Sequence, residues 1–397
     1  MSLRALHLNS LLTGGGTDDQ CARLAEGLPA FGVEASVAGP AGREFSRILG
    51  ERGVPFVATP GEGPAKLRFI LAAAKELRRG RHQIVHGHHG RDIWPTILAA
   101  KLSGTRPKVV LTRHMAKSPS SWPSRRFLLG QCDVLIAVSG FTADVLRNGR
   151  FEPDSPNPER RSRPPLRGDP AKIRLIHGGI DDARFQPLPD EDPRVVALRR
   201  EWRVEPSDFV FAVVGGYSLP RGKGQREFLQ AAARITHQIP HAKFLIVGRG
   251  NMTDLLREDI RRLGLEGRAA LTPYCTDMPA AMNAIHCMVH PQVGTEAFGL
   301  VVCEAHACGR SVIASDLDGI PEAFAAGGSG KLVPPESVDA LAAAMREVGQ
   351  RPPVDWEERL AMHQRVAARF SLGEMSRKVA NLYRELCAGS ATLGGQR

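Results

Sequence analysis

Glu296 and Glu304 stand eight residues apart in GTEAFGLVVCEAHACGRSVIASD, the stretch from Gly294 to Asp316. The residues between and beyond them are mostly apolar or small, so two acids border a segment that reads as buried. Cys287 to His290 reads as a strand, Pro291 to Ala297 as a loop, and Leu300 to Cys308 as a helix that Gly309 stops. The amides of Phe298, Gly299 and Leu300 then open a helix. Free N–H groups and the positive end of the dipole favour an anion there, and a diphosphate suits such a place. Acids beside a phosphate are better employed on sugar hydroxyls than on phosphate oxygens. The plainer alternative is that both carboxylates only meet the helix dipole, worth about 0.3–1 kcal/mol each.

Other residues with chemical capacity are scattered along the chain. Gly14, Gly15 and Gly16 follow the first apolar run, and such a run of glycines forms either a tight turn or a nest of amides for an anion. The stretch VHGHHGRD places His86, His88 and His89 together, which looks like a metal cluster but equally suits the lining of an acceptor pocket. Asp316 and Asp318 in DLD imitate the D-x-D of metal-dependent transferases.

The elements that must position these groups alternate between apolar runs and amphipathic stretches. Arg4–Leu8, Val33–Ala38, Gln83–His86, Lys108–Thr112 and Val134–Val138 read as buried strands, with helical patterns at Asp19–Ala30 and Ala65–Arg79 between them. This is the βαβ signature of a parallel sheet covered by helices. It stops at NGRFEPDSPNPERRSRPPLRGDP, dense in Pro and Arg, so residues 149–171 are expected as a mobile surface loop. KIRLIHGGIDDARFQP gives one more strand and a turn. The alternation restarts at Phe209–Val214, Lys243–Val247, Ala269–Thr272, Cys287–His290 and Ser311–Ala314. Two Rossmann-like halves are therefore expected to meet near Gly178 to Pro193, with a ligand crevice at the carboxyl ends of the strands.

Composition narrows the partners. The 397 residues suffice for two domains, with 42% hydrophobic and 24% charged residues as in ordinary globular chains. No apolar run approaches the ~20 residues of a membrane span. Met1 to Ser10 lacks the pattern of a signal peptide, and the seven scattered cysteines form no C-x-x-C pair, so reduced thiols in a cytoplasmic protein are expected. The net charge of +11 favours an anionic partner. Nucleic acid fits poorly, because the aromatics form no stacking platform and the basic residues spread over both halves. Residues 65–81 carry Lys66, Arg68, Lys75, Arg78, Arg79 and Arg81 with Phe69, Ile70, Leu71 and Leu77, and SSWPSRRFLLG adds Trp122, Arg125, Arg126 and Phe127. Such segments suit either peripheral contact with an anionic membrane or an ordinary solvated face.

The segment PQVGTEAFGLVVCEAHACGRSVIAS resembles the E-x7-E segment of retaining GT-B glycosyltransferases of the family-4 type. VSGFTADVL, IRLIHGGIDDARFQP, KGQREFLQAAARI, AKFLIVGRG, DMPAAMNAIHCMVHP, DGIPEAF, GKLVPP and RFSLGEMSRKVANLY follow in that family's order, so the resemblance spans nearly the whole chain. It implies an α/β GT-B fold: two Rossmann-like domains whose parallel sheets face across a cleft. The acceptor domain is expected over 1–185 and the nucleotide-sugar donor domain over 186–370, with a C-terminal helix, 371–390, packing back on the first.

The resemblance also implies roles. Glu304 holds the nucleotide ribose and Glu296 reaches the donor sugar, while Phe298, Gly299 and Leu300 bind the donor phosphates and sugar. Gly15 and Gly16 form a second phosphate cradle. Lys223 matches the family lysine that neutralises the diphosphate, and His114 matches a histidine near the donor sugar. The family's arginine after the preceding strand has no counterpart: Gly216 or Tyr217 stands there, and Arg221 is the substitute expected from the following loop. The implied activity is metal-independent transfer, with no cofactor, from a nucleoside-diphosphate sugar to a glycan or lipid-linked acceptor such as lipopolysaccharide. The same donor cleft also serves sugar-nucleotide epimerases and non-catalytic sugar-nucleotide binding modules. The family has no metal at the histidine cluster, and the DLD match reads as chance.

Overall fold

The computed structural model describes residues 2–12, 14–60, 66–155 and 157–388. Ala65, at the start of the expected basic helix, and Gly389 and Ser390, at the end of the expected C-terminal helix, lie outside them. The chain divides into one unit of Met1–Gly179 with Leu372–Arg397 and a second of Ile180–Ser371.

The first unit is built on a parallel sheet. Its strands are β1 (Leu3–Leu8), β2 (Val33–Pro40), β3 (Phe56–Thr59), β4 (Ile84–Gly87), β5 (Lys108–Arg113) and β6 (Val134–Ala137). A small antiparallel pair follows, β7 (Arg150–Phe151) with β8 (Ser162–Arg163), and then β9 (Ile173–Leu175). The sheet order is β3-β2-β1-β4-β5-β6-β9. Strands such as VLIA at β6 are buried along their whole length, as helices on both faces require. One apolar cluster packs the Lys66–Arg79 and Ile93–Ser103 helices on one face, and another packs the Gly16–Gly27 and Leu372–Ala388 helices on the other. Met375, Val379, Leu382 and Tyr383 bring that last helix into the core of this unit. The unit ends at Gly179, ahead of the expected 185, where Gln20 clamps the chain: its amide donates to the Gly179 carbonyl at 2.8 Å and accepts the Gly179 N–H at 3.0 Å.

The Pro/Arg-rich segment is anchored to the unit rather than free of it. Arg163 is among the largest fully buried side chains; its guanidinium donates to the Ala116 carbonyl at 3.1 Å and lies 5.3 Å from the Phe141 ring. Leu166 is buried, and its N–H donates to the Leu146 carbonyl at 2.8 Å. A buried, paired guanidinium and an apolar anchor outweigh the local composition.

The second unit holds β10 (Phe209–Val214), β11 (Ala242–Val247), β12 (Ala269–Leu271), β13 (Cys287–His290), β14 (Ser311–Ser315) and β15 (Gly330–Val333), all parallel in the order β12-β11-β10-β13-β14-β15. Phe209, Phe211, Phe228 and Phe244 sit in its core. In both units the strand order reverses beside the first strand of the sheet, between β1 and β4 and between β10 and β13. Such switch points open a crevice at the carboxyl ends of the strands.

All seven cysteines are free. Among the described residues no helix is long and apolar enough to cross a membrane.

Candidate functional site

The crevice of the second unit lies between the loops after β10 and β13. The first loop ends at Lys223 and the second carries Glu296, so the sheet order brings together residues far apart in sequence. Lys223 Nζ lies 3.4 Å from Glu296 Oε2. His290, the last residue of β13, places Nε2 at 3.9 Å from the same oxygen.

Each partner is held from behind. The Lys223 N–H donates to Gln225 Oε1 at 2.7 Å, and the fully buried Gln225 amide donates back to the Gly216 carbonyl at 3.3 Å, which closes the β10 loop. Gly224 precedes the Gln225–Ile235 helix at φ 85°, and a Cβ there would collide with the Pro291 carbonyl oxygen. Only glycine lets the loops after β10 and β13 touch in this way. On the other side, the Glu296 N–H donates to Asp318 Oδ2 at 3.2 Å and its carbonyl accepts the Gly319 N–H at 3.1 Å. The second acid of DLD is thus a brace for the Glu296 loop.

His290 is fully buried, and neither ring nitrogen has a hydrogen-bond partner among the described residues. Burial, reinforced by Lys223, pushes its pKa down to about 3, so it stands neutral beside the ion pair. Sequence reasoning missed His290 because a histidine at the end of an apolar strand carries no local mark; the V-H-P step into the loop is the only hint.

The Leu300–Ala307 helix starts after Gly299, whose φ of 90° is the left-handed conformation that glycine supplies. Phe298 is buried with its ring edge-on to Phe370 at 4.9 Å, which fixes the helix entry. The Val302 N–H donates to the Gly299 carbonyl at 2.9 Å, and the amides ahead of it have no carbonyl within the helix to bond. Glu304 lies about one turn inside the helix, part-buried. Lys223, Glu296, Phe298, Gly299, Leu300 and Glu304 therefore all belong to the second unit.

Arg221, expected as the substitute for the missing arginine, is held by carboxylates. Its guanidinium lies 2.8 Å from Glu336 and 3.5 Å from Glu227, and the Glu336 hydrogen bond raises its pKa further. Two carboxylates already balance its charge. Tyr217, at the place of the missing arginine, is buried in the core, with its N–H donated to the Arg249 carbonyl at 3.3 Å.

In the first unit, Gly14 and Gly15 adopt φ 96° and 116°, and Gly15 caps the Gly16–Gly27 helix. The Gly14 N–H is already taken by Asp18 Oδ2 at 2.9 Å, which leaves the cradle to the helix-start amides that follow. Asp18 is buried; burial alone would raise its pKa, but hydrogen bonds from His89 and Asn9, both 2.8 Å, hold it below the usual value. Asn9, Asp18 and His89 shape this loop; the sequence reading gave Asn9 and Asp18 no role and grouped His89 with His86 and His88 instead. His114 follows β5, with its ring stacked at 5.9 Å on His88. Burial of the ring, with His89 and Arg113 adding to it, pushes the His114 pKa down to about 3.

Comparison with known proteins gives the family of the chain. Residues 208–350 match the model of the family described as Glycosyl transferases group 1, and residues 14–155 match Glycosyltransferase Family 4. A phosphatidyl-myo-inositol mannosyltransferase of Mycolicibacterium smegmatis is 29% identical over 351 residues, covering 83% of this chain and 80% of that protein. A D-inositol 3-phosphate glycosyltransferase of Mycobacterium marinum is 31% identical over 295 residues, 70% of this chain and 57% of that protein. Among solved structures, Anabaena Alr3699/HepE in complex with UDP and glucose superposes with a TM-score of 0.77 at 18% identity, over 96% of this chain and all of that one. At that identity the likeness carries the fold alone.

Proposed function

Since the chain belongs to the family-4 group of glycosyltransferases with the GT-B fold, we propose that it moves a sugar, with retained anomeric configuration, from a nucleoside-diphosphate sugar to a hydroxyl of a glycan or lipid-linked acceptor. The observation that carries the donor half of this reading is the approach of Lys223 to Glu296 at 3.4 Å, beside the start of the Leu300–Ala307 helix. A cation and helix-start amides suit a diphosphate; a carboxylate next to them suits the sugar hydroxyls.

In this proposal the bond from the anomeric carbon to the β-phosphate oxygen breaks and negative charge develops on that phosphate. Lys223 and the amides of Phe298, Gly299 and Leu300 stabilise it where it forms. The acceptor hydroxyl attacks from the same face, and its proton passes to the departing phosphate, so no separate base is needed. Glu296 positions donor hydroxyls, and Glu304 holds the ribose. His114, Gly15 and Gly16 enter through the family resemblance, which gives them contacts with the donor sugar and phosphate. Lys223 and the helix start supply the positive charge that a metal ion supplies in other transferases.

The acceptor side of the proposal is a lipid-linked or envelope glycan, lipopolysaccharide included, reached by a cytoplasmic protein at an anionic membrane face. The mannosyltransferase relative is named for a phosphatidyl-inositol acceptor, which supports a lipid-linked class. Leu67, Leu71, Trp122 and Phe127 are exposed on helices that also carry Lys66, Arg68, Arg125 and Arg126, which supports surface contact. Phe69, Ile70 and Leu77 lie in the core and take no part in it.

A second reading, a non-catalytic sugar-nucleotide binding module, is favoured by one observation: Tyr217 fills the arginine position while Arg221 is tied to Glu336 and Glu227. Calorimetric titration with UDP, GDP and ADP and their hexose conjugates, alongside donor turnover, decides between them. Selective binding with donor hydrolysis or transfer supports the enzyme. Binding without turnover on any acceptor supports the module, and no binding overturns both.

A further inference from the structure

Arg199, Arg310 and Arg359 converge at the amino ends of β13 and β14, the edge of the second sheet opposite the Lys223–Glu296 crevice. Arg310 directly precedes β14, while Arg199 and Arg359 come from the Pro193–Glu201 and Trp356–Phe370 helices. The Arg199 Nε–H donates to the Ala284 carbonyl at 3.2 Å, just ahead of β13. One oxygen of Asp190 faces all three guanidiniums, at 3.3 Å from Arg199, 3.8 Å from Arg310 and 3.9 Å from Arg359. Only the first of these contacts is a hydrogen bond.

Three positive groups therefore share one carboxylate, and among the described residues no other acid is paired with them. The remaining acceptors are neutral and crowded. Asn283 Oδ1 receives Arg310 at 3.3 Å, Arg359 at 3.0 Å and the Leu188 N–H at 2.9 Å, and the Leu188 carbonyl receives Arg359 at 2.6 Å. Arg310 and Arg359 are only 4% and 5% exposed, and the Nε–H of each is buried without a partner among the described residues. The Asp190 side chain that they face is 54% exposed, so the arginine head groups lie beneath a solvent-open carboxylate.

A cluster that served packing alone would not gather this charge. Arginine can cap the carbonyls of a helix end, yet such an end offers only about half an elementary charge, and buried cations are otherwise paired. Burial, with Arg359 adding to it, pushes the Arg310 pKa down to about 9, and burial lowers that of Arg359. Burial, with Arg199 and Arg310 adding to it, pushes the nearby His286 down to about 3. The place is short of negative charge and of acceptor atoms at once, and an oxyanion supplies both. Its class follows from shape and charge. The planar Asp190 carboxylate bonds only one of the three arginines, whereas a tetrahedral phosphate group directs oxygens to several guanidiniums together. Three guanidiniums less one carboxylate leave two positive charges, the complement of a phosphate dianion.

We propose that Arg199, Arg310 and Arg359 bind one phosphate dianion, free or as a phosphate monoester, at the sheet edge away from the donor crevice. The inference is independent of the donor site: a chain that transferred nothing would still bind the anion.

The test titrates the full-length protein with inorganic phosphate and, in parallel, with glycerol 3-phosphate, followed by calorimetry and thermal unfolding at an ionic strength held constant with chloride. Lys223→Ala is titrated in the same way, because the donor site also attracts phosphate. The expected result in that variant is about one ion per chain and a rise in melting temperature with phosphate. Arg199→Gln, at a partly exposed position, weakens this binding about 10-fold or more. Arg257→Gln removes the same charge from an exposed position elsewhere and leaves the binding intact. Asp190→Asn tells a ligand site from a structural cluster: it removes the carboxylate that repels the anion, so phosphate binds about 10-fold tighter. No phosphate binding in wild type, binding lost in Lys223→Ala but kept in Arg199→Gln, or equal affinity in wild type and Asp190→Asn overturns the proposal. Tighter binding of the ester assigns the site to monoesters, and equal or weaker binding assigns it to the free ion. UDP titration of Arg199→Gln separates failure here from failure of the donor site.

Discussion

The Lys223 ammonium lies 3.4 Å from a Glu296 carboxylate oxygen, joining the loops after β10 and β13 across the switch point of the second sheet. Both side chains are partly exposed, so the pair itself adds little stability. A diphosphate would compete with Glu296 for the ammonium. Lys223→Ala is therefore expected to leave the melting temperature nearly unchanged and to lower kcat for donor hydrolysis or transfer by about 10²–10³, the loss typical of one stabilising group at a developing anion. Steady-state kinetics beside thermal unfolding checks both halves; a large drop in melting temperature with unchanged kcat would assign Lys223 to structure instead.

Glu304 and Glu296 separate by what they touch in the proposed donor. If Glu304 binds the ribose, Glu304→Ala removes charge-assisted hydrogen bonds worth about 1.5–3 kcal/mol, and nucleotide affinity falls roughly 10- to 100-fold. Glu296→Ala then spares UDP affinity and erases the difference between UDP and its hexose conjugate. Calorimetry with both ligands reads the distinction, and equal effects of the two substitutions on plain UDP would contradict the assigned roles.

Gly319 tests the brace behind Glu296. Its φ of −90° is open to any residue, so alanine would gain about 0.4–1 kcal/mol through the unfolded chain if space allowed. Space does not allow it: a Cβ would collide with the Ala297 carbonyl oxygen and meet Phe298 Cα at 3.0 Å. Backbone atoms cannot rotate away, so the clash wins. Gly319→Ala is expected to cost about 1–3 kcal/mol and to weaken nucleotide binding through displacement of the Glu296 loop. Urea unfolding and calorimetry measure the two, and a stabilised variant with full affinity would show that the loop is not held there.

Much of this architecture was legible because parallel strands buried on both faces read as continuous apolar runs: FVFAVV fills Phe209–Val214 as expected from its pattern. The placement of Glu296 ahead of a helix and Glu304 inside it was legible for a different reason, since spacing within one loop and helix is local. What escaped depends on partners distant in sequence. Arg163 looked like loop surface, yet its acceptor is 47 residues away at Ala116. Arg221 read as the substitute for the missing arginine, but Glu336, which accepts its hydrogen bond, lies 115 residues on. The strand Phe56–Thr59 was missed because four residues of only partial burial give no period to read.

The basic helix Lys66–Arg79 offers a test of the proposed membrane face. Leu67 and Leu71 are 62% and 51% exposed, and Lys66, Arg68, Lys75, Arg78 and Arg79 are exposed on the same helix. Each basic residue near an anionic bilayer contributes about 1 kcal/mol, so reversing two charges with Arg78→Glu and Arg79→Glu should lower partitioning about 30-fold or more. Sedimentation with phosphatidylglycerol vesicles at physiological salt measures it. Equal sedimentation of wild type with neutral vesicles, or retention on DNA under the same conditions, would argue against an anionic lipid surface.

Acid should weaken the second unit through its buried histidines. His290 and His306 are fully buried, and burial pushes their pKa values down to about 3 and about 4; Lys223 adds to the effect at His290, while the Arg310 carbonyl partly opposes it at His306. In the unfolded chain both titrate near the ordinary histidine value of 6.5. The native state holds them neutral, so below that value the unfolded state binds more protons and stability falls with falling pH. The contribution is complete above pH 6.5 and declines toward pH 4, at roughly 1.4 kcal/mol per pH unit for each histidine. Urea midpoints taken from pH about 7.5 down to about 4.5 should follow that slope, and His306→Gln should flatten it by one histidine's share while leaving the region above neutrality level. An unchanged slope in His306→Gln would mean that its ring is solvated or protonated in the native state, contrary to its burial beneath the Phe324 edge at 5.5 Å.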